Sequence, residues 1–97
     1  MTVTSELDAR LEIKAFIDRS RAPYSQWYVG ITADPDERLR EHGLQEADWY
    51  IVRRLASAEA ARRVAEALLK LECDGTAGDD ETATAVYAYW KRGHTTP

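Results

Sequence analysis

Three stretches of this chain alternate between apolar and polar faces, and three others recur with helical spacing. Trp27-Tyr28-Val29-Gly30-Ile31-Thr32 turns Trp27, Val29 and Ile31 one way and Tyr28, Gly30 and Thr32 the other, in β-branched and aromatic residues that suit a strand. Residues 48–55 repeat the pattern, with Trp49, Ile51 and Arg53 opposed to Tyr50, Val52 and Arg54. Residues 82–90 form the third strand, with Val86, Ala88 and Trp90 against Tyr87 and Tyr89.

Helices are expected before and between these strands. Residues 6–20 carry two apolar stripes: Ile13, Phe16, Ile17 and Ser20 on one, Leu7, Leu11 and Ala15 on the other. The alternation Leu11-Ile13-Ala15-Ile17 would also fit a strand, but the length, the Lys and Glu content and the cap at Ser5 favour helix. Asp34-Pro35-Asp36-Glu37 starts a short helix to about His42, stopped by Gly43; Asp34 caps, Pro35 suits the first position and Glu37 completes a capping box. Ser57 caps a longer helix, 58–72, with Ala61, Val64, Ala65, Leu68 and Leu71 as its apolar stripe. Residues 1–4 are expected to fray, 73–81 to form an acidic Gly-rich loop and 91–97 a polar tail. The order α-β-α-β-α-β with short connections predicts one small α+β domain, a three-stranded mainly antiparallel sheet with about three packing helices.

The segment Tyr28-Val29-Gly30-Ile31-Thr32, followed by an Asp-Pro turn and then by Arg38 and His42 four residues apart, resembles the GIY-YIG endonuclease superfamily. Tyr28-Val29-Gly30 stands at the YIG triplet, Arg38 at the essential arginine and His42 at a histidine many members carry one turn later. The family's first motif, Gly-Ile-Tyr on a preceding strand, is absent: the residues before Tyr28 are a helix and a Pro-containing loop. The strand Ala85-Val86-Tyr87-Ala88-Tyr89 is expected to fill that place from the other end of the chain, as in a circular permutation, bringing Tyr87 or Tyr89 next to Tyr28.

The resemblance implies a metal-dependent phosphodiester-cleaving site. Tyr28 or Tyr87 would help activate water, Arg38 would meet the charge on the phosphoryl oxygens and His42 would orient or protonate a neighbouring oxygen. Gly30, with bare backbone, and Arg40 are the expected substrate contacts. The family holds Mg²⁺ or Mn²⁺ through a helix glutamate, but after Glu59-Ala60 the matching position here is Val64. Glu66 is the nearest replacement, and it lies about 200° around the helix from Val64. Loss of the carboxylate points to a degenerate nuclease, or to a non-catalytic module that keeps the fold and binds a protein partner. Each residue also has a purely structural reading: a sheet tyrosine, a solvated helix face, a surface ion pair for Glu66.

Composition narrows this picture. Ninety-seven residues make one domain, and a net charge of −4 argues against strong general nucleic-acid binding. Arg19, Arg21, Arg38, Arg40, Arg53, Arg54, Arg62 and Arg63 would supply a basic patch if they clustered. A single cysteine, Cys73, makes a cytoplasmic setting the default, and no apolar run is long enough for a membrane span. His94 is expected to be merely exposed.

Overall fold

The three caps read from the sequence start the three helices. In the computed structural model, which describes residues 3–78 and 80–97, α1 spans Glu6–Ser20 behind Ser5, whose hydroxyl accepts from the Asp8 N–H. The helix α2 spans Pro35–Glu41, and the Asp34 carboxylate accepts from the Glu37 N–H. The helix α3 spans Ala58–Leu69, and Ser57 accepts from the Ala60 N–H. Each cap satisfies a donor that a helix start leaves open. The end of α3 falls short of the expected residue 72. Its chain tightens at Leu71 and Glu72, whose N–H groups reach back three residues, and Glu72 turns to φ 77°.

The strands are β1 (Trp27–Thr32), β2 (Tyr50–Arg54), β3 (Asp74–Gly75) and β4 (Ala85–Trp90), in sheet order β2-β4-β1-β3. The C-terminal strand is thus central, antiparallel to both β1 and β2. Its run Ala-Val-Tyr-Ala-Tyr-Trp is buried on both faces down to Tyr89, as an interior strand requires. The fourth strand, β3, corrects the three-strand expectation and makes the sheet mixed. It lies parallel to β1, with Val29 beside Gly75, inside the segment expected to be loop. Gly75 allows this pairing: its φ is +131°, and a Cβ there would collide with the Val29 backbone. Asp79 of the acidic loop lies outside the described residues, as do residues 1 and 2 of the segment expected to fray. At Thr4 the backbone N–H is held by the Arg54 carbonyl at 2.8 Å.

Two layers cover the sheet. On one face α1 supplies Ala9, Ile13 and Ile17, and α3 supplies Ala61, Val64, Ala65 and Leu68, against Trp27, Val29, Ile51, Val86 and Ala88. The tryptophans pack at one end of the sheet as expected. Trp27 stacks on Trp90 with centroids 6.3 Å apart, Trp49 meets Trp90 edge-on at 6.0 Å, and Phe16 touches Trp27 and Trp49. On the other face α2 inserts Leu39 against Tyr87 and Tyr89, with Tyr28, Leu44 and Val52 around them. The second stripe of α1 stays uncovered: Leu7 and Leu11 are exposed. Among the described residues no helix is long and apolar enough to cross a membrane.

Candidate functional site

The register of β1 against β4 fixes the centre of the second face. Tyr28 lies opposite Tyr89, and Gly30 lies opposite Tyr87. All four point away from α1 and α3 by the alternation of the two strands. His42, at the end of α2, drops between the rings. Its centroid is 4.9 Å from those of Tyr28 and Tyr89 and 5.5 Å from Tyr87, and Tyr28 is 5.4 Å from Tyr89 and 6.4 Å from Tyr87. The sequence-predicted group Tyr28, His42 and Tyr87 is therefore brought together, and Tyr89 joins it.

His42 is buried and engaged through both ring nitrogens. Nδ1 lies 2.8 Å from the Thr96 carbonyl, which can only accept, so Nδ1 carries a proton. Nε2 lies 2.8 Å from the Tyr87 hydroxyl and accepts from it when the ring is neutral. The Tyr89 hydroxyl sits 3.1 Å from Nδ1. The Thr96 N–H in turn donates to the His42 carbonyl at 2.7 Å, so residue 96 of the expected polar tail is bonded to this centre. His94 is also not merely exposed: Nε2 lies 2.6 Å from Asp48 Oδ2. Neither tail contact was legible from local sequence, because each joins residues about fifty positions apart. Tyr89 had a signal, since it shares a strand face with Tyr87.

Gly30 does not offer open backbone. A Cβ there would lie 2.6 Å from Tyr87 Cζ, so the space beside the strand belongs to the Tyr87 ring and not to a ligand. Arg38 reaches the rim, half-exposed and 3.1 Å from Glu41 Oε1. Its positive charge bears on both Tyr28 and Tyr87. Arg40 faces elsewhere, into a shallow hollow of about 270 Å³ lined also by Leu39, Leu44 and Tyr50. Two of the other arginines are tied into ion pairs with α1. Arg53 pairs with Glu12 on the α1 side, and Arg63 with Glu6 and Glu59.

Burial governs the chemistry of the rings. It pushes the Tyr87 hydroxyl up to about 12, with the neighbouring Tyr28 adding to the shift and Arg38 opposing it. Burial also raises Tyr89, followed by the charges of Tyr28, Tyr87 and Asp74. Tyr28 is raised as well, again first by burial. Near neutrality all three are protonated phenols and not bases, and Tyr87 donates to His42 Nε2. The pH dependence follows from the sign of the shift. The unfolded chain loses its tyrosine protons first, so stability present below about pH 10 declines as pH climbs towards the folded value near 12. For Tyr87 alone the loss is about 3 kcal/mol. Urea unfolding at pH 9 and pH 11.5 is expected to show that decline, and Tyr87→Phe to reduce it.

The residues that converge here do not fit a hard divalent ion. Mg²⁺ and Mn²⁺ favour oxygen ligands, carboxylates above all. The group consists of neutral phenols, an imidazole bonded through both nitrogens and a guanidinium. The carboxylates whose charge reaches it bond other groups: Asp74 meets Lys91 and the Gly75 N–H, Asp80 meets the Thr82 N–H and hydroxyl, and Glu41 makes an exposed pair with Arg38. Glu66 does not join the group. It is exposed on α3, across the sheet from Tyr28, while Val64 is buried in the core between α3 and the sheet. Among the described residues no three His, Cys, Asp or Glu side chains group together. Comparison with protein-family models, with curated proteins and with solved structures found no match for the chain.

Proposed function

We propose that this chain is a GIY-YIG-type, nuclease-like domain that engages the phosphodiester backbone of nucleic acid at the Tyr28–Arg38 rim. The observation that carries the reading is the in-register pairing of β1 with β4, which sets Tyr87 beside Tyr28 under Arg38 and His42. This is the neighbourhood the resemblance asks for once its first motif strand is supplied by the C-terminus. Arg38 is the anion contact. Its ion pair with Glu41 is exposed and worth little, so the planar guanidinium is available to two phosphoryl oxygens. The Tyr28 phenol, half-buried and not engaged by His42, donates to the same group. His42 fixes Tyr87 and Tyr89 behind it. With neutral phenols and no committed carboxylate ligand, these residues bind and polarise a phosphodiester, and a degenerate nuclease is the form of the reading they favour. A cytoplasmic setting belongs to the same reading and rests on the single, buried Cys73.

Binding and cleavage of labelled single- and double-stranded DNA and RNA test this, with Mg²⁺ and then Mn²⁺, for wild type and Arg38→Ala. The variant is expected to bind about tenfold more weakly at low salt, a loss of about 1.4 kcal/mol. Its stability is expected to stay within about 0.5 kcal/mol of wild type, as for a surface change. Folded wild-type protein that binds none of the four nucleic acids, or an Arg38→Ala protein that binds equally well, overturns the proposal.

A further inference from the structure

The face opposite the ring cluster carries a surface that the phosphodiester reading does not use. Leu7 and Leu11 of α1 are 56% and 53% exposed, one helical turn apart. They border a groove of about 750 Å³ between α1 and α3, with Leu71 among its apolar lining. Their counterparts Ala9, Ile13 and Ile17 are fully buried, so α1 has two apolar stripes and the fold covers one.

The charges around the groove say what covers the other. Arg10, Lys14, Arg63 and Lys70 line it against only Glu6 and Glu66, a local excess of cations in a chain of net charge −4. Arg63 is paired with Glu6 and Glu59, and Lys14 with Asp18. Arg10 and Lys70 form no ion pair among the described residues. A second copy docked through the same patch would bring the same excess of cations to the groove, because a two-fold interface repeats the patch on both sides. A partner with carboxylates beside an apolar stripe meets no such repulsion. The groove is bounded by two helices and offers no free strand edge, so the form that fits is a helix with apolar anchors at positions three and four apart.

We propose that the α1–α3 groove docks an acidic amphipathic helix of another protein. The probe is a fluorescein-labelled synthetic helix of about four turns, with leucines on one stripe and glutamates flanking it. A control peptide carries lysine in place of every glutamate. Anisotropy is expected to rise with the acidic peptide and to stay flat with the basic one. Leu7→Ser with Leu11→Ser is expected to weaken binding at least about tenfold, equivalent to 1.4 kcal/mol. Arg10→Glu with Lys70→Glu is expected to shift the preference towards the basic peptide. Circular dichroism confirms that the surface variants fold, and the nucleic-acid binding of Leu7→Ser with Leu11→Ser, which keeps the charge, is expected to be unchanged, which separates this proposal from the Arg38 site. Equal binding of both peptides, no binding of the acidic one, or binding indifferent to either pair of substitutions overturns it. So does sedimentation showing a wild-type dimer that Leu7→Ser with Leu11→Ser dissociates, since the occupant would then be a second copy.

Discussion

Replacing His42 by alanine is expected to lower the stability of the domain by about 3 kcal/mol, one of the largest effects of any single change at the site. The side chain is 7% exposed and bonds the Thr96 carbonyl, the Tyr87 hydroxyl and the Tyr89 hydroxyl. Its loss strands two buried hydroxyls and leaves a cavity beneath α2, and each unsatisfied buried group costs about 1–3 kcal/mol. For a domain of this size the loss corresponds to a fall of roughly 12–24 °C in the melting temperature. His42→Phe fills the volume but restores no hydrogen bond, so it is expected to recover only the cavity part. Urea unfolding of the two variants beside wild type checks this. A His42→Ala protein within about 0.5 kcal/mol of wild type would show that the ring does not hold the cluster together.

Gly30→Ala is the second. The added methyl would lie 2.6 Å from Tyr87 Cζ and 2.9 Å from Cε1, in a ring that is 1% exposed and tied to His42. The ring cannot swing outward without losing that bond, and overpacking of this kind costs about 1–3 kcal/mol. A double-mutant cycle isolates the cause. In a Tyr87→Ala background the clash is gone, and alanine in a strand is better than glycine by about 0.5–1 kcal/mol. The same substitution is therefore expected to destabilise wild type and to stabilise the Tyr87→Ala protein. If Gly30→Ala has the same sign in both, Tyr87 is not what occupies the space beside the glycine.

Local signals made most of this fold legible. Ser5, Asp34 and Ser57 were readable as caps because capping is chemistry within three residues. The alternation of β4 puts Tyr87 and Tyr89 on one strand face, and the pairing with β1 expected from the missing motif strand sets that face beside Tyr28. Two features escaped. The short strand β3 is specified by one glycine with positive φ beside Val29, inside a stretch whose Asp and Gly content reads as loop. The contact of Thr96 with His42 depends on where the C-terminal strand exits, which no helical or strand period encodes. At the site, Gly30 and Glu66 stand differently from the expectation for separate reasons. Gly30 is filled from the neighbouring strand. Glu66 sits on a helix that packs against the other face of the sheet, with the Val64 stripe turned inward.

The central claim is that a phosphodiester meets the rim formed by Tyr28 and Arg38. Its most direct test is a titration of isotope-labelled protein with a short single-stranded oligonucleotide at low salt, followed by NMR chemical-shift changes. The account predicts shifts concentrated at Tyr28, Arg38, His42 and Tyr87, reversed by added salt and needing about tenfold more oligonucleotide in Arg38→Ala. No shifts at all, or shifts confined to the α1–α3 groove, would contradict it.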